Sequence, residues 1–201
     1  MASANEVLGS ESVQSYYDPK EDVNIPIIPK QLYRTHITSC RIAEVSVRKK
    51  YKAMVYNCKV KIADENKELT YRDEDKGVDV NGGVFSGKSV KVSGIFFFLR
   101  PSDEDTFKDN SGGNEKYLKF CEAIGVECPE IEIKVDGEKR MVKTLPELNE
   151  QDIVGKPLLA HIDQSSFVSK EGKKVDYFEV KAFEEWEGAT ARNFDEEDLP
   201  F

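Results

Sequence analysis

The stretch YKAMVYNCKVKI, residues 51–62, alternates between two kinds of side chain from end to end. Met54, Tyr56, Cys58, Val60 and Ile62 fall on one side, and Tyr51, Val55, Asn57, Lys59 and Lys61 on the other. Successive side chains point to opposite faces only in an extended chain, so this spacing predicts a half-buried strand and excludes an amphipathic helix. The preceding THITSCRIAEVSVR, residues 35–48, is rich in β-branched residues, and the short KKY link makes the pair a hairpin. KSVKVSGIFFFLR, residues 88–100, alternates too, which sets Val90, Val92, Phe96 and Phe98 against Lys91, Ile95 and Phe97.

The period then changes. NEKYLKFCEAIGV, residues 114–126, carries apolar side chains at 117, 118, 121 and 124, with Asn114 to cap a helix and Gly125 to stop it. EIKVDGEKRMVK (132–143) predicts a small hairpin on Asp136-Gly137, and LPELNEQDIVGK (145–156) a helical turn. PLLAHIDQSSFV (157–168) and KVDYFEVKAFEEW (174–186) read as two strands joined by the turn SKEGK. With the small hairpin as an insertion, the order is β-β-β-α-β-β. That order matches the OB-fold, a mainly β, five-stranded antiparallel Greek-key barrel with its helix between strands three and four; another antiparallel barrel or sandwich gives a similar string.

The 201 residues are 39% apolar, enough for one core. We expect an N-terminal tail over residues 1–30, an OB-like domain over 31–187 and an acidic tail over 188–201. MASANEVLGSESVQS lacks the apolar stretch of a signal peptide, and the run 95–99 is too short to span a bilayer, so the expectation is a cytoplasmic protein without a membrane partner. Cys40, Cys58, Cys121 and Cys128 form no CxxC pair, and disulfides are not expected in such a compartment. His36 and Cys40 would share one side of a strand and offer zinc-ligand types, but buried thiols are the simpler reading, and no metal or other cofactor is expected.

The net charge of −9 is unevenly spread. Arg34, Arg41, Arg48, Lys49, Lys50, Lys52, Lys59 and Lys61 face a single acid, Glu44, between residues 34 and 61, so that segment is +7 and the remainder −16. VRKKYK (47–52) sits at the tip of the first hairpin, one of the loops that flank an OB-fold's binding face. Single-stranded nucleic acid takes this combination, with cations along the phosphates and an aromatic face for an unstacked base. The candidate binding residues are Arg41, Arg48, Lys49, Lys50, Tyr51, Lys52, Lys59, Lys61, Lys91 and Phe97. Against this stands a solvated hairpin whose lysines only protect a strand edge. VFSGKS (84–89) lacks the first glycine of a phosphate loop, and SGGNEKY (111–117) reads better as a linker than as a phosphate site. His36 and His161 lie in no catalytic motif, and no enzyme is expected.

The last residues carry a resemblance. DEEDLPF (195–201) resembles the C-terminal tip of bacterial and many phage single-stranded DNA-binding proteins, in which acids precede an aliphatic residue, proline and phenylalanine. The resemblance implies that Asp195, Glu196, Glu197, Asp198, Leu199, Pro200 and Phe201 recruit replication, recombination and repair proteins. It also implies that they compete with DNA for the protein's own groove. From Ile28 onward the layout is similar to a family of phage proteins encoded among replication genes. The motifs are IPKQLYRTHITSCRIAEVSVRKKYKAMVYNCKVKI, YLKFCEAIGV, ELNEQDIVGKPLLAHI and YFEVKAFEEW. Together these predict a phage single-stranded DNA-binding protein that coats exposed strands, with self-association left open. The alternatives are an interaction module or DNA mimic that uses the acidic surface, and a metal-dependent nuclease built on Asp73, Glu74 and Asp75.

Overall fold

The structure is a computed structural model that describes residues 28–47, 51–98, 111–135 and 137–194. It is mainly β, built on a mixed five-stranded sheet of β1 (Gln31–Val47), β2 (Tyr51–Ile62), β5 (Ser89–Phe98), β8 (Pro157–Val168) and β9 (Lys174–Glu184). The neighbours run β1-β2-β5-β9-β8, and β8 pairs in turn with β1, so the ladder closes on itself. The expectation of a wholly antiparallel sheet is corrected at one place: every pairing is antiparallel except β5 with β9, where Lys91 meets Glu179 and Val92 meets Val180 in parallel.

β1 is long because it serves two partners. Its first half lies against β8 from Gln31↔Ile162 to His36↔Pro157, and its ladder with β2 runs from Thr35↔Ile62 to Val47↔Tyr51. An extra residue, Thr38, sits between Ile37↔Val60 and Ser39↔Lys59. A bulge of this kind bends a strand and reverses the phase of its side chains. The expected pairing of His36 with Cys40 on one side of the strand therefore fails. Cys40 points into the core opposite Cys58, while His36 stands opposite Lys61 on the outer face.

A second bulge corrects the reading of β5. Tyr56 pairs with Ile95 and Cys58 with Val92, so Ser93 and Gly94 together face Asn57. Gly94 has φ +72°, a left-handed conformation that costs glycine little. The chain beyond it changes phase, and Ile95 enters the core beside Val90 and Val92 instead of facing outward with Lys91.

Against β5 and β9 packs α1 (Ser111–Ala123), which buries Tyr117, Phe120 and Cys121 in the core. The helix starts ahead of Asn114, so that residue lies inside it rather than capping it. Gly125 has φ +73° just past its end, as a C-terminal stop requires. Tyr117 donates from its hydroxyl to the Pro146 carbonyl at 2.6 Å, which satisfies a polar group that burial would otherwise penalise. The hairpin β6 (Glu130–Val135) with β7 (Glu138–Lys143) forms as expected, and Asn149 caps α2 (Glu150–Ile153).

Two segments outside the strands and helices read from the sequence are built into the fold. The acidic run at 71–80 forms the hairpin β3 (Thr70–Asp73) and β4 (Val78–Asn81), because Tyr71 packs on Tyr33 at 4.8 Å and donates to Asn66 Oδ1 at 2.7 Å. Residues 188–194, expected to begin the acidic tail, pack on the domain. The Arg192 backbone N–H donates to the Gly155 carbonyl at 2.9 Å, and a Cβ on Gly155 would lie 2.2 Å from the Arg192 carbonyl oxygen. Among the described residues no helix is long and apolar enough to cross a membrane.

Candidate nucleic-acid interface

Lys59 and Lys91 are direct partners across the β2–β5 ladder, and both are exposed on the outer face. Arg41 of β1 reaches the same face. It pairs with Asn57, whose side chain lies on the Lys59 side of β2. Three of the expected cations thus come from three adjacent strands onto one surface. Lys61 follows on that face, half-buried, and borders a cavity of about 200 Å³ with His36, Arg192 and Phe194.

The other expected residues do not join them. Lys52 has the phase of Met54 and Tyr56, so it projects from the opposite face of the ribbon, where its Nζ lies 2.9 Å from Glu44 Oε1. Phe97 pairs with Met54 and stacks on Tyr117, with centroids 5.0 Å apart and planes 20° apart, half-buried against the core. The Gly94 bulge puts it there, and it does not share a side with Lys91. Arg48, Lys49, Lys50, the Tyr51 ring and Asp195 through Phe201 lie outside the described residues.

Beyond Lys91 the outer face continues into a polar cluster that the sequence did not single out. Glu179 is in parallel register with Lys91, yet only 7% exposed. Its carboxylate accepts from Ser93 Oγ at 2.5 Å, from Ser165 Oγ at 2.5 Å and from Lys181 Nζ. The Lys181 bond, then those of Ser165 and Ser93, hold the carboxyl well below its ordinary range, at about 2. Lys116 of α1 donates to the Ser93 carbonyl at 2.8 Å, and burial lowers its pKa. β5, β8 and β9 are tied together at this one carboxylate, and α1 joins them through the Ser93 carbonyl. Alternation in YFEVKAFEEW identifies a strand, but that Glu179 lands beside Lys91 follows from a long-range pairing that no local pattern contains.

No family model, curated protein or solved structure matches the chain.

Several other groups that could carry chemistry are engaged within the fold. Cys58 Sγ lies 2.7 Å from Cys40 Sγ, and that contact together with burial pushes its pKa up, so this thiol stays protonated. Burial pushes Cys121 up to about 12. Asp73 is buried and its Oδ1 accepts from the Lys76 backbone N–H at 3.1 Å, which closes a turn, while Glu74 and Asp75 are exposed. Among the described residues no group of three histidine, cysteine or acidic side chains converges as a metal site would. His36 is packed edge-on against Trp186 at 5.2 Å and Phe194 at 6.2 Å, with Nε2 3.4 Å from the Thr190 carbonyl oxygen. Burial, then the nearby Arg192, lowers its pKa.

Proposed function

We propose that this protein binds single-stranded DNA on the outer face of β1, β2 and β5, without chemistry, as a phage-type coating protein in replication, recombination and repair. The observation that carries the reading is the exposed Lys59–Lys91 pair. Like charges directly opposite in a ladder are destabilising. A phosphate lying between them turns that cost into binding energy, and Arg41 extends the same track.

The OB-fold reading is supported by strand order. The first three strands of the closed sheet follow one another, and the fourth returns after a long connection to lie beside the first, an order that fits a Greek key. The helix falls between the third and fourth. In that fold the face of strands two and three binds oligonucleotides, with the loop carrying Arg48 to Lys50 at one end. The tip from Asp195 to Phe201 serves as the partner-recruiting peg: acids steer toward a basic rim, and Leu199 and Phe201 fill an apolar pocket.

The test is a titration of fluorescent single- and double-stranded oligonucleotides at several salt concentrations. For about five neutralised phosphates, log K against log salt falls with a slope near −3 to −4 on the single strand. A flat response, or no binding to the single strand, rejects the reading.

A further inference from the structure

We infer that Phe167 and Tyr177, near the tip of the β8–β9 hairpin, form the base-stacking platform of this interface; the inference rests on the single-strand reading above. The two rings lie 5.9 Å apart at 62°, and they remain 52% and 38% exposed. Large exposed rings forgo the hydrophobic stabilisation of burial, so their position calls for an occupant.

Register connects them to the cationic face. Tyr177 is opposite Ser165, and Phe167 opposite Val175, so both rings share the side of Ser165 and Glu179. Glu179 is in register with Lys91. Tyr177 is one strand across and two residues along from Lys91, about 8 Å between backbones, and Phe167 is a further strand across and two residues along, about 16 Å from Lys91, so the pair lies within about three nucleotides of the Lys59–Lys91 pair. Phe97, expected among the binding residues, is engaged with Tyr117 instead, and this pair takes its place.

Charge decides what sits there. Tyr177 borders a cavity of about 310 Å³ with Asp75, Asp163 and Asp176, against Lys30 and Lys76. On the hairpin itself Lys173 and Lys174 are offset by Glu171 at 3.7 Å and Asp176 at 3.4 Å. Such a surface does not attract a phosphate, but it leaves the rings to the uncharged face of a base. The platform therefore supplies affinity without counterion release, whereas Lys59 and Lys91 supply the salt-dependent part.

That division is the test. The double variant Phe167→Ala/Tyr177→Ala, in the full chain, weakens binding to a single-stranded oligonucleotide about 5- to 100-fold per ring, with the salt slope unchanged. Tyr177→Phe retains wild-type affinity. Both rings are exposed, so the core is intact in these variants, which circular dichroism checks. Phe167→Trp gives a fluorophore that the oligonucleotide quenches. Unchanged affinity in the double variant, while Lys59→Glu/Lys91→Glu loses binding, overturns this inference and leaves the function standing. A wild type that ignores oligonucleotides overturns the function first. If sedimentation shows a wild-type oligomer that the double variant loses at unchanged affinity per chain, the rings join two copies of the protein and the inference is wrong.

Discussion

Lys59 faces Lys91 across the β2–β5 ladder, so two exposed cations stand side by side on the outer surface, with Glu179 in register beyond Lys91. Under the proposed function, reversing both to glutamate would remove two phosphate contacts and add repulsion. Oligonucleotide affinity is expected to fall at least 100-fold at 0.1 M salt, with the salt slope reduced by about 1.4, which fluorescence anisotropy measures.

Lys52 provides the matched comparison. It has the same charge and lies on the same strand, but it projects from the other face beside Glu44. Lys52→Glu is expected to cost less than a third of the loss in log K caused by Lys59→Glu in the same assay. Equal losses would mean that the bound strand wraps both faces of the ribbon.

Glu179 predicts an acid sensitivity. Its folded pKa is depressed to about 2 from an ordinary 4.5, mainly by Lys181. The unfolded chain then takes up the proton first as pH falls. The stabilisation is complete above pH 4.5 and is lost between there and about 2. Urea midpoints of wild type and Glu179→Gln should differ most at neutral pH and converge through that window. A constant difference would show that the carboxylate's charge is irrelevant.

His36 titrates with the opposite chemistry and the same sign. Burial against Trp186 and Phe194 lowers its pKa below 6.5, so the unfolded or detached form binds a proton that the packed form resists. Packing of residues 186–194 is therefore secure above pH 6.5 and weakens as pH falls below it. Trp186 is the single tryptophan in the chain and reports this directly. A fluorescence step below pH 6.5 that is absent in His36→Asn is expected.

Gly94 tests the bulge. At φ +72° any other residue is strained, and a Cβ there would lie 3.4 Å from Lys116 Nζ. Gly94→Val is expected to destabilise the fold by about 1–3 kcal/mol in urea melts. It would also disturb Ile95 and Phe97, whose inward phase depends on the extra residue.

Much of the fold was legible in the sequence because its signals are local. Strict alternation marked β2, the changed period marked α1, and Asp136-Gly137 marked the β6–β7 turn. The β3–β4 hairpin was missed because its run of acids hides one decisive side chain, Tyr71, whose partners Tyr33 and Phe85 are distant in the chain or hidden in a turn. The packed stretch 188–194 was missed because its anchors are backbone groups of Gly155 and the outward ring of His36.

The sequence by itself determined which residues would be strands and where the positive charge would concentrate, since both depend on neighbours along the chain. The tertiary structure decided which of those charges stand together. With a side-chain period of two, a single added residue reverses everything after it. The bulges at Thr38 and Gly94 did this, separating His36 from Cys40 and Lys91 from Phe97. Long-range pairing then brought Glu179, Tyr177 and Phe167 to the face that Lys59 and Lys91 share, a neighbourhood set by the closure of the sheet and not by any pattern within a strand.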